Sequence, residues 1–250
     1  MKPILFNTEM VRAILDDRKG ATRRVADINP DIPCTHGEHE FVWDNFTGGK
    51  ATGFVCRKCG FGVAPPHSRY PVGTSLFRPR YFPSDILYVR ETWQFAYDMD
   101  GNDQCIDGTG RYLYYADDPA PFNDWIMPNG THREFMPWRP SIHMPKDAAR
   151  LFLRVKDVRV ERLQNITEEQ AEAEGAPKAF EYDTPEGPVI TLDEDGYFVL
   201  GFKVVWNSTI PKDKLPLYGW DANPWVWVIE FERISKEEAQ KGGVGNASRT

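Results

Sequence analysis

Residues 151–163, LFLRVKDVRVERL, alternate apolar and charged side chains over more than ten positions. A period of two over that length is the mark of a long strand with one face in a core and one in solvent. A second such stretch, Trp225–Ile234 (WVWVIEFERI), lies near the C-terminus, and between residues 86 and 91 stands the shorter apolar run ILYVRE. Lys2–Phe6, Thr22–Val25 and Arg111–Tyr115 have the composition of further short strands. Several strands with few helices predict an α+β protein whose centre is a small closed or nearly closed β-barrel with flanking helices.

Two helices are legible from their caps. Asn7 or Thr8 can cap a helix that places Met10, Val11, Ile14 and Leu15 on one face, with Gly20 as its stop. Thr167 can cap a short helix, and Glu169 or Gln170 sits where a capping-box partner belongs. Phe202–Trp206 suits one or two helical turns. Residues 176–199 are acidic, with Pro and Gly, and read as a surface loop; residues 235–250 read as a flexible tail.

The 250 residues carry 30 basic and 37 acidic side chains, a net charge of −7. That balance argues against a strong generic nucleic-acid binder. The charge is uneven: Thr167–Gly196 holds ten acids and one lysine, whereas residues 1–24 hold six bases and three acids. The basic segment leaves room for a local phosphate-contacting patch. No apolar run has the length of a membrane span, and MKPILF lacks the apolar stretch of a signal peptide. The expectation is a cytoplasmic monomer with reduced thiols.

Residues 30–80 differ from the rest. They hold three of the four cysteines and are poor in aliphatic residues, too poor to fold without a staple. Cys56-Arg57-Lys58-Cys59-Gly60 is a C-x-x-C-G knuckle, and CTHGEHEF upstream supplies Cys34, His36 and His39. Phe41–Phe54 suits a hairpin with a Gly48-Gly49 turn. The pattern predicts a zinc ribbon with Cys34, Cys56, Cys59 and His39 as ligands, His36 being the alternative to His39. Four protein ligands leave no open position, so such a zinc is structural. The alternative reading is a set of reduced core cysteines with exposed histidines.

Arg18-Lys19-Gly20-Ala21-Thr22-Arg23-Arg24 is either a solvated basic turn or a reactive one. Lys19 and Thr22 are close in sequence, and a lysine whose pKa is lowered by burial can activate a threonine hydroxyl. Glu91 can be a salt-bridge member beside Arg90 or a pocket residue. His143, in SIHMP, can contact a ligand or tie a loop. Trp93 and Trp138 suit a core or a base-stacking platform.

Taken in order, MVRAILDDRKGATRRV, SDILYVRETW, WRPSIHMP, ITEEQAEAEG and WDANPWVWVIEFERI resemble the ASCH-domain proteins of phages and prophages, which have PUA-like barrels. The resemblance covers nearly the whole chain outside 30–80 and 176–199, and implies a barrel domain from 1–29 and 81–234 with 30–80 as an insertion. The family pattern G-R-K-T-x-T-R departs here at two places: its glycine is Asp17 and its first threonine is Gly20. Small enzymes of this family include a bacterial N4-acetylcytidine amidohydrolase that uses a Lys, a Thr and a Glu. The resemblance implies Thr22 as nucleophile, Lys19 as its proton acceptor and Glu174 as acid–base partner or orienter. Arg24, Glu91, Trp93 and His143 are the expected substrate-binding residues beside them. Three functions follow: hydrolysis of an acylated or modified cytidine, free or in RNA; non-catalytic binding of RNA or a modified base; and ribonuclease activity.

Overall fold

The computed structural model describes residues 1–26, 34, 37–44, 53–58, 79–102, 104–121, 125–127, 129–184 and 187–244. In chain order its strands are β1 (Lys2–Leu5), β2 (Ala21–Val25), β3 (Phe41–Asp44), β4 (Gly53–Cys56), β5 (Ile86–Arg90), β6 (Trp93–Ala96) and β7 (Arg111–Tyr114). Then come β8 (Trp125–Ile126), β9 (His132–Arg133), β10 (Phe152–Arg162), β11 (Ala179–Thr184), β12 (Gly187–Leu192) and β13 (Trp225–Ile234). The helices are α1 (Thr8–Leu15), α2 (Glu168–Ala173), α3 (Phe198–Thr209), α4 (Leu215–Tyr218) and α5 (Lys236–Val244).

The protein is mixed α+β, with a five-stranded sheet in the order β1-β5-β10-β13-β2. Among the described residues this sheet does not close into the expected barrel. Its end strands β1 and β2 are short, and the strands available to bridge them pair instead as four separate two-stranded ribbons, β3-β4, β6-β7, β8-β9 and β11-β12. No helix of the described residues is long and apolar enough to cross a membrane.

The chain divides into two compact units, Met1–Arg18 with Asp85–Arg154 and Arg233–Thr250, and Lys19–Ser84 with Val155–Glu232.

In the first unit β1 runs parallel to β5, Lys2 facing Leu87, and the start of β10 pairs antiparallel with β5. Helix α1 forms because Asn7 accepts a hydrogen bond from the Met10 backbone and Val11, Ala13 and Ile14 share a buried face. It ends earlier than Gly20. Asp17 takes a left-handed conformation (φ 57°), and Arg18 N–H closes back on the Ala13 carbonyl at 2.8 Å. The core gathers Ile86, Tyr88, Trp93, Met144, Phe152 and Ile234. Each such burial contributes about 1.5–3 kcal/mol. Ala239 of α5 joins it, so 236–244 is a helix rather than the expected loose tail.

In the second unit β13 pairs antiparallel with β2, Ile229 facing Thr22. Helix α2 opens with the full capping box of Thr167 and Gln170. It closes on Gly175 (φ 76°), with Ala176 N–H donating to the Ala171 carbonyl, so Glu174 is held at the C-cap. Glu168 accepts from the backbone N–H groups of Phe198 and Val199, which starts α3. Leu163, Ile166, Phe202, Trp206, Val226 and Val228 form the core. Strands β11 and β12, in a stretch expected as loop, pair antiparallel and are largely exposed.

Candidate functional site

The backbone at the start of β2 is pinned on both sides. Gly20 N–H donates to the Ala173 carbonyl at 2.8 Å, and the Gly20 carbonyl accepts from Phe231 N–H at 2.9 Å. Lys19 and Glu174 form an antiparallel bridge. This register places the C-cap of α2 beside Lys19, whose Nζ donates to the Glu174 carbonyl oxygen at 2.6 Å and to Oε2 at 3.2 Å. The Lys19 and Glu174 side chains are 0% and 4% exposed.

Arg23 takes the other carboxylate oxygen, donating from Nη1 to Glu174 Oε1 at 3.0 Å. Its Nη2 reaches Gln170 Oε1 at 2.8 Å and Glu161 Oε2 at 3.4 Å. Glu161 is paired in turn with Arg159, which also binds Glu230. The result is a chain of alternating charges from β10 and β13 to the buried lysine.

Burial lowers the Lys19 pKa, the attraction of Glu174 opposes that, and the like charges of Arg24 and Arg23 add to the lowering. Arg24 is also lowered by burial, against the pull of Glu174. Three cations, Lys19, Arg23 and Arg24, thus act on the one Glu174 carboxylate. Thr22 is completely buried on the same strand, and its Oγ1 makes no hydrogen bond. An unpartnered buried hydroxyl costs about 1–3 kcal/mol, a cost that a ligand group can relieve.

The sequence-predicted residues divide between the two units. Lys19, Thr22, Arg24 and Glu174 belong to the second unit, and Lys19 and Glu174 are in contact. Thr22 and Lys19 are not hydrogen-bonded to each other.

Glu91, Trp93 and His143 belong to the first unit. Glu91 is buried and bound by both arms of Arg150 at 3.0 Å, not by Arg90. Arg150 also holds Asp117 at 2.7 Å and lies 3.9 Å over the Tyr114 ring. Burial raises the Glu91 carboxyl above its ordinary value, against the Arg150 hydrogen bonds. Trp93 is a core side chain with Arg139 stacked at 5.2 Å, and His143 is exposed in the 3-10 turn Ser141–His143. Glu91 thus behaves as an ion-pair member and Trp93 as core.

Sequence reasoning passed over Glu161, Gln170 and Arg150. Gln170 had a signal in its capping-box position. Glu161 lies on an apolar–charged alternation that looks like an ordinary solvated face, and Arg150 stands just before that stretch with no pattern of its own.

Cys34, His39 and Cys56 can hold a metal ion: their ligand atoms lie within 4.8 Å of one another. The Cys34 and Cys56 sulfurs are 3.9 Å apart. Two thiolates at about 2.3 Å from one tetrahedral ion stand about 3.8 Å apart, so the spacing fits. Phe41 pairs with Cys56 across the β3-β4 ribbon, which sets His39 and Cys56 side by side. Glu40 N–H points at Cys56 Sγ at 3.4 Å, the backbone donor expected for a thiolate. His39 is the histidine that the described residues place in the group; Cys59 and His36 lie outside the described residues.

No protein-family model matches the chain, and no curated protein or solved structure does so either.

Proposed function

We propose that the cluster around Lys19 is the reactive centre of an amide hydrolase acting on an N4-acylated cytidine, free or in RNA. The observation that carries this reading is the buried contact of Lys19 Nζ with Glu174, 155 positions away, just before the strand that bears the unpartnered Thr22 hydroxyl. The cytidine part rests on the five sequence stretches that resemble ASCH-domain proteins.

In this scheme the neutral amine of Lys19 takes the proton of Thr22 as Oγ1 attacks the acyl carbonyl carbon. The oxyanion that forms is stabilised by the positive charges of Arg24 and of the newly protonated Lys19. Lys19 then returns the proton to the departing N4 amine, leaving an acyl-threonine ester that water cleaves. Glu174 orients Lys19 throughout. Thr22 must first turn towards Lys19 and the cluster must open to substrate, since both side chains are buried here.

Incubation with a panel of N4-acylated cytidines, read by mass, tests the reading. Loss of the acyl group, dependent on Thr22, supports it; intact substrates throughout refute it.

A second reading, a non-catalytic binder of RNA or a modified base, is favoured by one feature, the absence of a Thr22–Lys19 hydrogen bond. In either case the metal at Cys34, His39 and Cys56 is proposed to be zinc, with Cys59 as the fourth ligand, stapling the β3-β4 ribbon.

A further inference from the structure

We infer that Arg23 is a positioning residue that divides the Glu174 carboxylate, taking one oxygen so that Lys19 shares the other instead of holding both. This deepens the hydrolase reading and rests on it for its catalytic consequence. Arg23 Nη1 binds Oε1 at 3.0 Å and Lys19 binds Oε2 at 3.2 Å, so the carboxylate is used by both cations at once. Arg23 is 1% exposed and its guanidinium lies 5.9 Å from the centre of the Phe202 ring. Its second nitrogen binds Gln170, whose Oε1 also accepts from the Thr167 backbone. One guanidinium thereby ties the N-terminal box of α2 to the C-cap residue of the same helix.

An ammonium facing a carboxylate alone is held protonated, and a protonated lysine cannot accept the Thr22 proton. A guanidinium on the same carboxylate neutralises much of that pull and adds its own repulsion, while never giving up its own proton. The groups facing Lys19 and its partners are Glu174 and Gln170 from α2, Arg23 and Arg24 from β2, and Glu161 from β10, with Tyr81 acting on Arg24. Arg23 is the one that contacts both carboxylates. Glu161 restrains it from the far side.

The test is an NMR titration of the Lys19 side chain in the full-length protein, with the pH profile of N4-acetylcytidine turnover beside it. Arg23→Gln should move the Lys19 midpoint to higher pH, each unit of movement cutting the neutral amine about tenfold at a given pH. Arg23→Lys should restore it towards the wild-type position. Glu161→Gln, which frees Arg23 for Glu174, should move it to lower pH and serves if Arg23→Gln fails to fold. Turnover should follow the same shifts. Lys19 midpoints unchanged in Arg23→Gln, or in Glu161→Gln where the first does not fold, overturn the inference. A wild type that turns over no acylated cytidine refutes the hydrolase reading alone, because the titration still reads Arg23.

Discussion

Lys19 Nζ donates to Glu174 twice, to its backbone carbonyl at 2.6 Å and to its carboxylate at 3.2 Å, so one ammonium both caps α2 and neutralises its last side chain. The carbonyls at a helix C-terminus carry partial negative charge, and a cation there is favoured. The contact is therefore structural whether or not it is also chemical.

Breaking the pair should be costly. Glu174→Gln leaves Lys19 and Arg23 without their shared countercharge, and loss of a buried partner destabilises by about 3–5 kcal/mol. Urea unfolding should show this loss. Adding Lys19→Met to Glu174→Gln should recover part of it, because one uncompensated cation is gone. A double variant no more stable than Glu174→Gln would show the two side chains to be uncoupled.

The lowered Lys19 pKa has a signed consequence for pH. In the window between its folded pKa and its ordinary value of 10.5, the unfolded chain binds more protons at this site than the folded one. Stability from Lys19 therefore increases as pH rises through that window. Comparing wild type with Lys19→Met, the difference in unfolding free energy should shift in favour of wild type as pH rises. The opposite slope would mean that Glu174 outweighs burial.

Asp17 occupies a left-handed position without being glycine, at a cost of about 1 kcal/mol. Asp17→Gly should stabilise the protein by up to that amount, less whatever its exposed pair with Arg233 contributes, which is about 0–1 kcal/mol. A lowered denaturant midpoint would show that the Arg233 pair outweighs the backbone strain.

Protein purified without added metal should carry about one zinc ion per chain, and a strong chelator should remove it. Cys56→Ala should abolish that stoichiometry. Full retention of the ion by the variant would place the metal elsewhere.

The strands and caps that follow simple periodicity were legible in advance: β10 and β13 from their alternation, α2 from Thr167 and Gln170. The pairing of the ends was not. Alternation says which face a strand buries, but not whether β1 and β2 meet, and the intervening strands took their own partners. The pairing of β11 with β12 was hidden by composition. Phe180-Glu181-Tyr182-Asp183 alternates as a strand should, yet its acids suggest a loop when read as a group. At the end of α1, Asp17 supplied the left-handed turn that glycine was expected to provide three residues later.

At the site, Lys19 and Glu174 are in contact across 155 positions, which spacing alone does not announce, since it leaves Glu174 one of several glutamates around a short helix. Glu91 likewise meets its partner Arg150 from 59 positions away, with no local pattern to announce it.

The most direct measurement is release of acetate from N4-acetylcytidine, followed by mass, with wild-type protein, Thr22→Ser and Thr22→Val at neutral and alkaline pH. The predicted result is turnover by wild type that rises towards alkaline pH, persists at a reduced rate in Thr22→Ser and is lost in Thr22→Val. Equal turnover by wild type and Thr22→Val, or none by wild type on any acylated cytidine, would contradict Thr22 as the nucleophile of a deacylase.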